Sequence, residues 1–132
     1  MNIFHVAIPT HDLEAATQFY TALGAIPARR RDDRQTFRWF DHQLVCHLCP
    51  DEVRFTGKPL QHAYPRHFGM TFEQEAEFDA AVALCVAAEA TMQPVSIRFA
   101  GRPERHKTVF VADPSEKNII EFKWYFDPRH AY

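Results

Sequence analysis

A chain of 132 residues is the size of one ordinary domain, and its 46% hydrophobic and 24% charged residues lie near globular averages. The net charge of −2 and the scatter of basic residues, Arg29, Arg30, Arg31 and Arg34 apart, leave no broad basic field for nucleic acid. No run approaches the roughly 18 apolar residues of a membrane span, and the N-terminus shows no basic patch followed by an apolar leader, so a cytoplasmic protein without a membrane partner is expected.

Residues 3 to 8 read as a short strand ended by Pro9, with Asp12 at the N-cap of a following helix. Leu13, Ala16, Phe19, Tyr20 and Leu23 recur at helical spacing and Gly24 supplies a stop, which predicts a helix over 13–23. Strands are predicted near 25–31, 35–41 and 43–49, turning at Asp32-Asp33 and at Asp41-His42. Residues 50–65, with Pro50, Gly57, Pro59 and Pro65, make a loop or linker. A strand over 66–72 opens the second half, followed by a helix within 74–90 whose apolar stripe is Phe78, Ala81, Val82, Leu84, Cys85 and Ala88. Strands near 95–100, 107–112 and 118–124 complete the set, the last preceded by a turn at Asp113-Pro114-Ser115.

His67 follows His5 by 62 residues, and that offset lays His-Phe-Gly-Met on His-Val-Ala-Ile and brings the two helices into step. The order β-α-β-β-β therefore occurs twice. The expected class is α+β, two tandem modules (about 1–55 and 66–126) in one 132-residue domain. Three cysteines, an odd number, suit thiols rather than a disulfide framework, and Cys46 and Cys49, three apart on a strand, point to opposite faces.

Alternation assigns each strand an apolar face and a second face. Phe4, Val6 and Ile8 stand against His5 and Ala7; Phe68, Met70 and Phe72 against His67, Gly69 and Thr71. Leu44, Cys46 and Leu48 stand against Gln43, Val45 and His47; Ile120, Phe122 and Trp124 against Ile119, Glu121 and Lys123. Four strands thus present one ligand-type residue each: His5, His47, His67 and Glu121. Ala7 and Gly69 are read as small neighbours that leave room for a cavity. Three imidazoles and a carboxylate suit a divalent zinc, iron, nickel, cobalt or manganese ion. Arg38, Arg98, Arg102, Arg105 and Lys123 are candidates for gripping an anionic substrate group, Lys123 foremost because it shares the face of Glu121.

These stretches carry a resemblance. His5-Val-Ala-Ile with Asp12-Leu-Glu-Ala-Ala-Thr-Gln-Phe-Tyr, the strand around His47, Arg66-His-Phe-Gly-Met, and the closing Asp113-Pro-Ser-x-x-Asn-x-x-Glu-Phe are similar to the vicinal-oxygen-chelate superfamily of glyoxalases, bleomycin-resistance proteins and extradiol dioxygenases. The resemblance covers almost the whole chain, and the closing pattern is its most specific part. It implies a curled sheet around a divalent metal held from the first and last strands of each module, carried here by His5, His47, His67 and Glu121. The proton moves would fall to metal-bound water or to Glu121 as the catalytic residue, and Lys123 and Arg38 would bind substrate. With His47 included the site resembles the four-ligand isomerases; without it, the two-histidine, one-carboxylate iron(II) oxygenases.

The implied activity is a metal-dependent lyase, isomerase or dioxygenase acting on a small molecule through two adjacent oxygens, in a homodimer. The alternatives are a metal-free protein sequestering an aromatic or drug-like ligand in a groove lined by phenylalanines and Trp39, and a fold kept for interaction alone. Lys117, where many relatives carry a glycine, departs from the closing pattern.

Overall fold

The structure is a computed structural model and describes residues 2–51, 66–115 and 118–132. Most of the expected linker, together with Glu116 and Lys117, lies outside the described residues. The element order is β1 (His5–Thr10), α1 (Leu13–Ala22), β2 (Ile26–Arg31), β3 (Arg34–Trp39), β4 (His42–Leu48), β5 (Phe68–Phe72), α2 (Glu75–Ala87), β6 (Thr91–Arg98), β7 (His106–Ala112) and β8 (Ile119–Tyr125), then a short 3-10 turn at Pro128–His130. The β-α-β-β-β order does occur twice. Two four-stranded sheets result, β1-β4-β3-β2 and β5-β8-β7-β6, with β1–β4 and β5–β8 parallel and the other pairs antiparallel.

The chain divides into two compact units, one of Met1–Lys58 with Asp113–Asn118, the other of Pro59–Ala112 with Ile119–Tyr132. The expected module boundary is thus shifted in one respect: the turn before β8 belongs to the first unit.

In the first unit Asp12 caps α1 as expected, its carboxylate accepting from the amides of Glu14 (2.8 Å) and Ala15 (3.0 Å). Beyond the helix Gly24 takes a φ of 93°, which a residue with a Cβ adopts only at a cost. The helix buries Leu13, Ala16 and Tyr20 against a sheet face made of Ile8, Phe37, Leu44 and Cys46. In the second unit α2 buries Phe78, Ala81 and Cys85 over Phe72, Val109, Ile120 and Phe122. Burial pushes the Cys46 thiol up to about 12, with the Asp113 charge adding to it, and lifts Cys85 to about 11, so both stay protonated core residues.

Several expectations need correction. β1 runs through Pro9 rather than ending there; it is an edge strand, where a residue lacking N–H forfeits no ladder bond. Phe4 precedes the strand and is 69% exposed, not core. Trp39 lines no groove: it is buried, and its indole N–H donates to Leu23 O at 3.2 Å. The β3–β4 turn is at Phe40 and Asp41, one residue early, both at positive φ (49° and 63°) as a two-residue hairpin turn matching strand twist requires. β6 begins at Thr91 and absorbs Pro94 through irregular register on an edge strand.

Candidate functional site

Glu121 sits in β8 of the second unit, with only 7% of its side chain exposed. A carboxylate so buried requires partners, and it has one for each oxygen. Oε1 accepts the Thr108 hydroxyl at 2.9 Å, and Oε2 lies 3.0 Å from His67 Nε2. Phe110, buried and directly opposite Glu121 across the β7–β8 pairing, meets the His67 ring edge-on at 5.8 Å. His67 stands just before β5 rather than inside it, although the expected strand of 66–72 included it.

Gly69 pairs with Glu121 across β5–β8, and a Cβ added there would stand 1.6 Å from the Glu121 carbonyl oxygen. The glycine is thus required by the close approach of two backbones, not, as the sequence suggested, to leave room around side chains. Lys123 follows two residues later on the same face, opposite Thr108, its Nζ 5.8 Å from the Tyr125 ring centroid. Beyond it His106 is buried, with Nδ1 3.0 Å from Glu104 O and its ring 4.5 Å from that of Tyr125.

The first unit carries His5 and His47. Both lie on the sheet face away from α1, but in different rows: His5 pairs with Gln43, and His47 with Pro9. The 62-residue offset makes Ala7 the counterpart of Gly69. Ala7 pairs with Val45 as Gly69 pairs with Glu121. Val45, not His47, therefore occupies the position equivalent to Glu121. His47, opposite Pro9, is the counterpart of Lys123, opposite Thr71. By this pairing register His47 stands one row from the position equivalent to Glu121. Arg38 lies in the row of His5 and Gln43 and is held by an ion pair to Asp41. With Ile3, Ala28, Thr36 and Gln43 it lines a cavity of about 360 Å³ within this unit. Within each unit, among the described residues, no three His, Cys, Asp or Glu side chains gather as a metal-holding group.

The closing motif has its own structural reason. Asp113 accepts from the Tyr20 hydroxyl (2.9 Å), the Asn118 amide (2.7 Å), the Ser115 backbone N–H (3.0 Å) and the Ser115 hydroxyl. Asn118 also donates to Pro9 O at 2.7 Å, and the Asp113 N–H donates to Asn118 O at 3.1 Å. Asp113, Ser115 and Asn118 are all buried, and Asn118 lies three residues before Glu121 in the chain. Burial, together with the Asp113 charge, holds the Tyr20 hydroxyl well above its ordinary value, so it donates at any working pH.

Sequence reasoning missed Thr108, Phe110 and His106. Counting back from the Asp113 turn along the β7–β8 hairpin would have placed Phe110 opposite Glu121 and Thr108 one row on.

The family model described as Glyoxalase/Bleomycin resistance protein/Dioxygenase superfamily matches residues 2–122. A glyoxalase/bleomycin resistance protein/dioxygenase from Alicyclobacillus acidocaldarius, known from its crystal structure, is 44% identical with a TM-score of 0.88, over 99% of this chain and 96% of its own. The fold alone is shared with two more distant structures. A lactoylglutathione lyase from Agrobacterium tumefaciens is 22% identical (TM-score 0.64; 93% of this chain, 92% of its own). A genomically encoded fosfomycin resistance protein from Listeria monocytogenes is 16% identical (TM-score 0.70; 98% of each chain). No curated protein matches the chain.

Proposed function

Because the chain belongs to the glyoxalase/bleomycin resistance protein/dioxygenase superfamily, we propose that it is a divalent-metal-dependent enzyme whose ion is held by His5, His67 and Glu121. The observation that carries this reading is the pair in the second unit. His67 Nε2 and Glu121 Oε2 face each other at 3.0 Å, while the other carboxylate oxygen is already bound to Thr108. An imidazole nitrogen and a single carboxylate oxygen turned to one point fit a borderline divalent ion such as zinc, iron(II), nickel, cobalt or manganese. His5 is the third ligand of this proposal. With Val45 in the fourth equivalent position, the donor set is two histidines and one carboxylate, and His47 lies outside it.

When bound, the ion would supply Lewis-acid stabilisation to two adjacent oxygens of a small substrate. The chain's own residues do the rest. Lys123, on the face of Glu121 and without an ion pair among the described residues, offers a positive charge to an anionic substrate group. The ring of Tyr125 gives that face apolar surface. Glu121 would be the group that holds a substrate proton at its carboxylate. Arg38, bound to Asp41, would have to release that partner to serve a substrate and is the weaker candidate.

The test is metal content by mass spectrometry after reconstitution with each ion, on wild type, His67→Ala and Glu121→Gln. About one ion per site in wild type, lost in both variants with unchanged circular dichroism, is expected. A wild-type protein that retains none of the five ions would overturn the reading.

A further inference from the structure

Glu121 has two oxygens, and the surroundings treat them differently. The Thr108 side chain is buried in β7, and because a carboxylate can only accept, its hydroxyl must donate to Oε1. Thr108 is not the residue directly opposite Glu121, which is Phe110. It pairs with Lys123, one row on, and reaches Oε1 along the diagonal. A β-branched residue on a strand has a stiff χ1, so this hydroxyl is fixed in place. At 2% exposure for Thr108 and 6% for Glu121, water has little room to replace it. Oε2, on the other side, is the oxygen turned to His67.

The first unit supplies an internal control. The counterpart of Glu121 there is Val45, and the counterpart of Thr108 is Arg34, which pairs with His47 as Thr108 pairs with Lys123. Where the carboxylate is absent, the hydroxyl is absent too.

We propose that Thr108 is a positioning residue that makes Glu121 a one-oxygen metal donor: by occupying Oε1 it leaves Oε2 alone to face the ion and keeps the carboxylate from chelating through both oxygens. This rests on the metal reading above. A ligand carboxylate whose outer hydrogen bond is removed loses metal affinity by roughly ten- to a hundredfold, and here the freed Oε1 would also be able to join the coordination.

The test uses the full chain and zinc alone, by chelator competition, with wild type, Thr108→Val, Thr108→Ala and Thr108→Ser. Val keeps the shape and removes the hydroxyl, Ala removes it without adding a methyl beside the carboxylate, and Ser keeps it. The expected result is zinc affinity weakened about ten- to a hundredfold in Val and Ala and held within about threefold in Ser. Cobalt(II) spectra give the second readout, since visible absorption weakens as coordination number rises. Val and Ala should show weaker bands than wild type, and Ser the wild-type spectrum. Unchanged zinc affinity in a folded Val or Ala variant overturns the proposal, as does a Ser variant as weak as Val, which would assign the effect to packing. If wild type binds neither zinc nor cobalt, the metal reading itself falls and the proposal with it; if wild type binds and the variants match it, only the proposal falls.

Discussion

The two units share one strand order, yet the rows that cross their sheets at equivalent places hold different chemistry. In the second unit the row is Gly69, Glu121 and Phe110; in the first it is Ala7, Val45 and Thr36. One row has a buried carboxylate with a partner on each oxygen and a glycine without which the backbones could not approach. The other has an apolar side chain and an alanine that is tolerated. The difference teaches that duplication of a framework repeats faces and rows, while chemistry is set by the residue at a single crossing. It also shows where a duplicated half is free to vary: a strand crossing with no buried charge places no demand on its neighbours.

The sharpest way to break that comparison is to swap the small residues. Gly69→Ala would drive a Cβ into the Glu121 carbonyl, 1.6 Å away, and the strands must part. A loss near the upper end of overpacking costs, about 3 kcal/mol, is expected in urea denaturation. The equivalent change in the first unit, Ala7→Gly, should cost under about 1 kcal/mol. Similar losses at the two sites would show that the rows do not differ in closeness of approach.

Next in size is the hydroxyl of Tyr20. Its counterpart in α2, by the same offset, is Val82, which has none. Tyr20→Phe removes one donor from the buried Asp113 carboxylate and should cost about 2 kcal/mol, in the range for hydrogen bonds to charged groups. Val82→Ala, half-buried, should cost less. Equal melting temperatures for wild type and Tyr20→Phe would mean the Asp113 turn does not depend on it.

The smallest effect tests the rows directly. Val45→Glu puts a carboxylate where the second unit has Glu121 and should tighten zinc retention about tenfold, or about 1.4 kcal/mol. His47→Ala, one row away, should change retention less than about twofold. A His47→Ala variant that loses its metal would restore His47 to the donor set and remove the argument from register.

Much of this was legible in the sequence. The periods of α1 and α2, the Asp12 cap, the Gly24 stop and the 62-residue offset give the duplicated order, and alternation places His67, Glu121 and Lys123 toward one face. What alternation does not give is the row. A face crosses several rows, and which residues meet within one is decided by pairing register, which depends on turns and on the partner strand. His47 shares a face with His5, but it pairs with Pro9, one row from the Ala7–Val45 crossing that corresponds to Gly69–Glu121. Trp39 and Phe4 depart for other reasons: one aromatic finds a backbone acceptor in the core, and the other falls just outside the strand that would have buried it. Thr108 went unnoticed because a threonine in an apolar strand has no signature until the carboxylate it serves is placed beside it.

The Asp113 turn carries one more consequence. Counted along the chain it belongs to the second half; counted by packing it belongs to the first. The halves of the sequence and the halves of the fold are therefore not the same objects. A gene cut at the linker would yield a first fragment in which Tyr20 and Pro9 have lost Asp113 and Asn118, their hydrogen-bond partners, and a second in which those polar groups have lost the residues they bind. Neither fragment alone would be a module. The repeat that is so plain in the order of strands does not make the chain a pair of interchangeable parts.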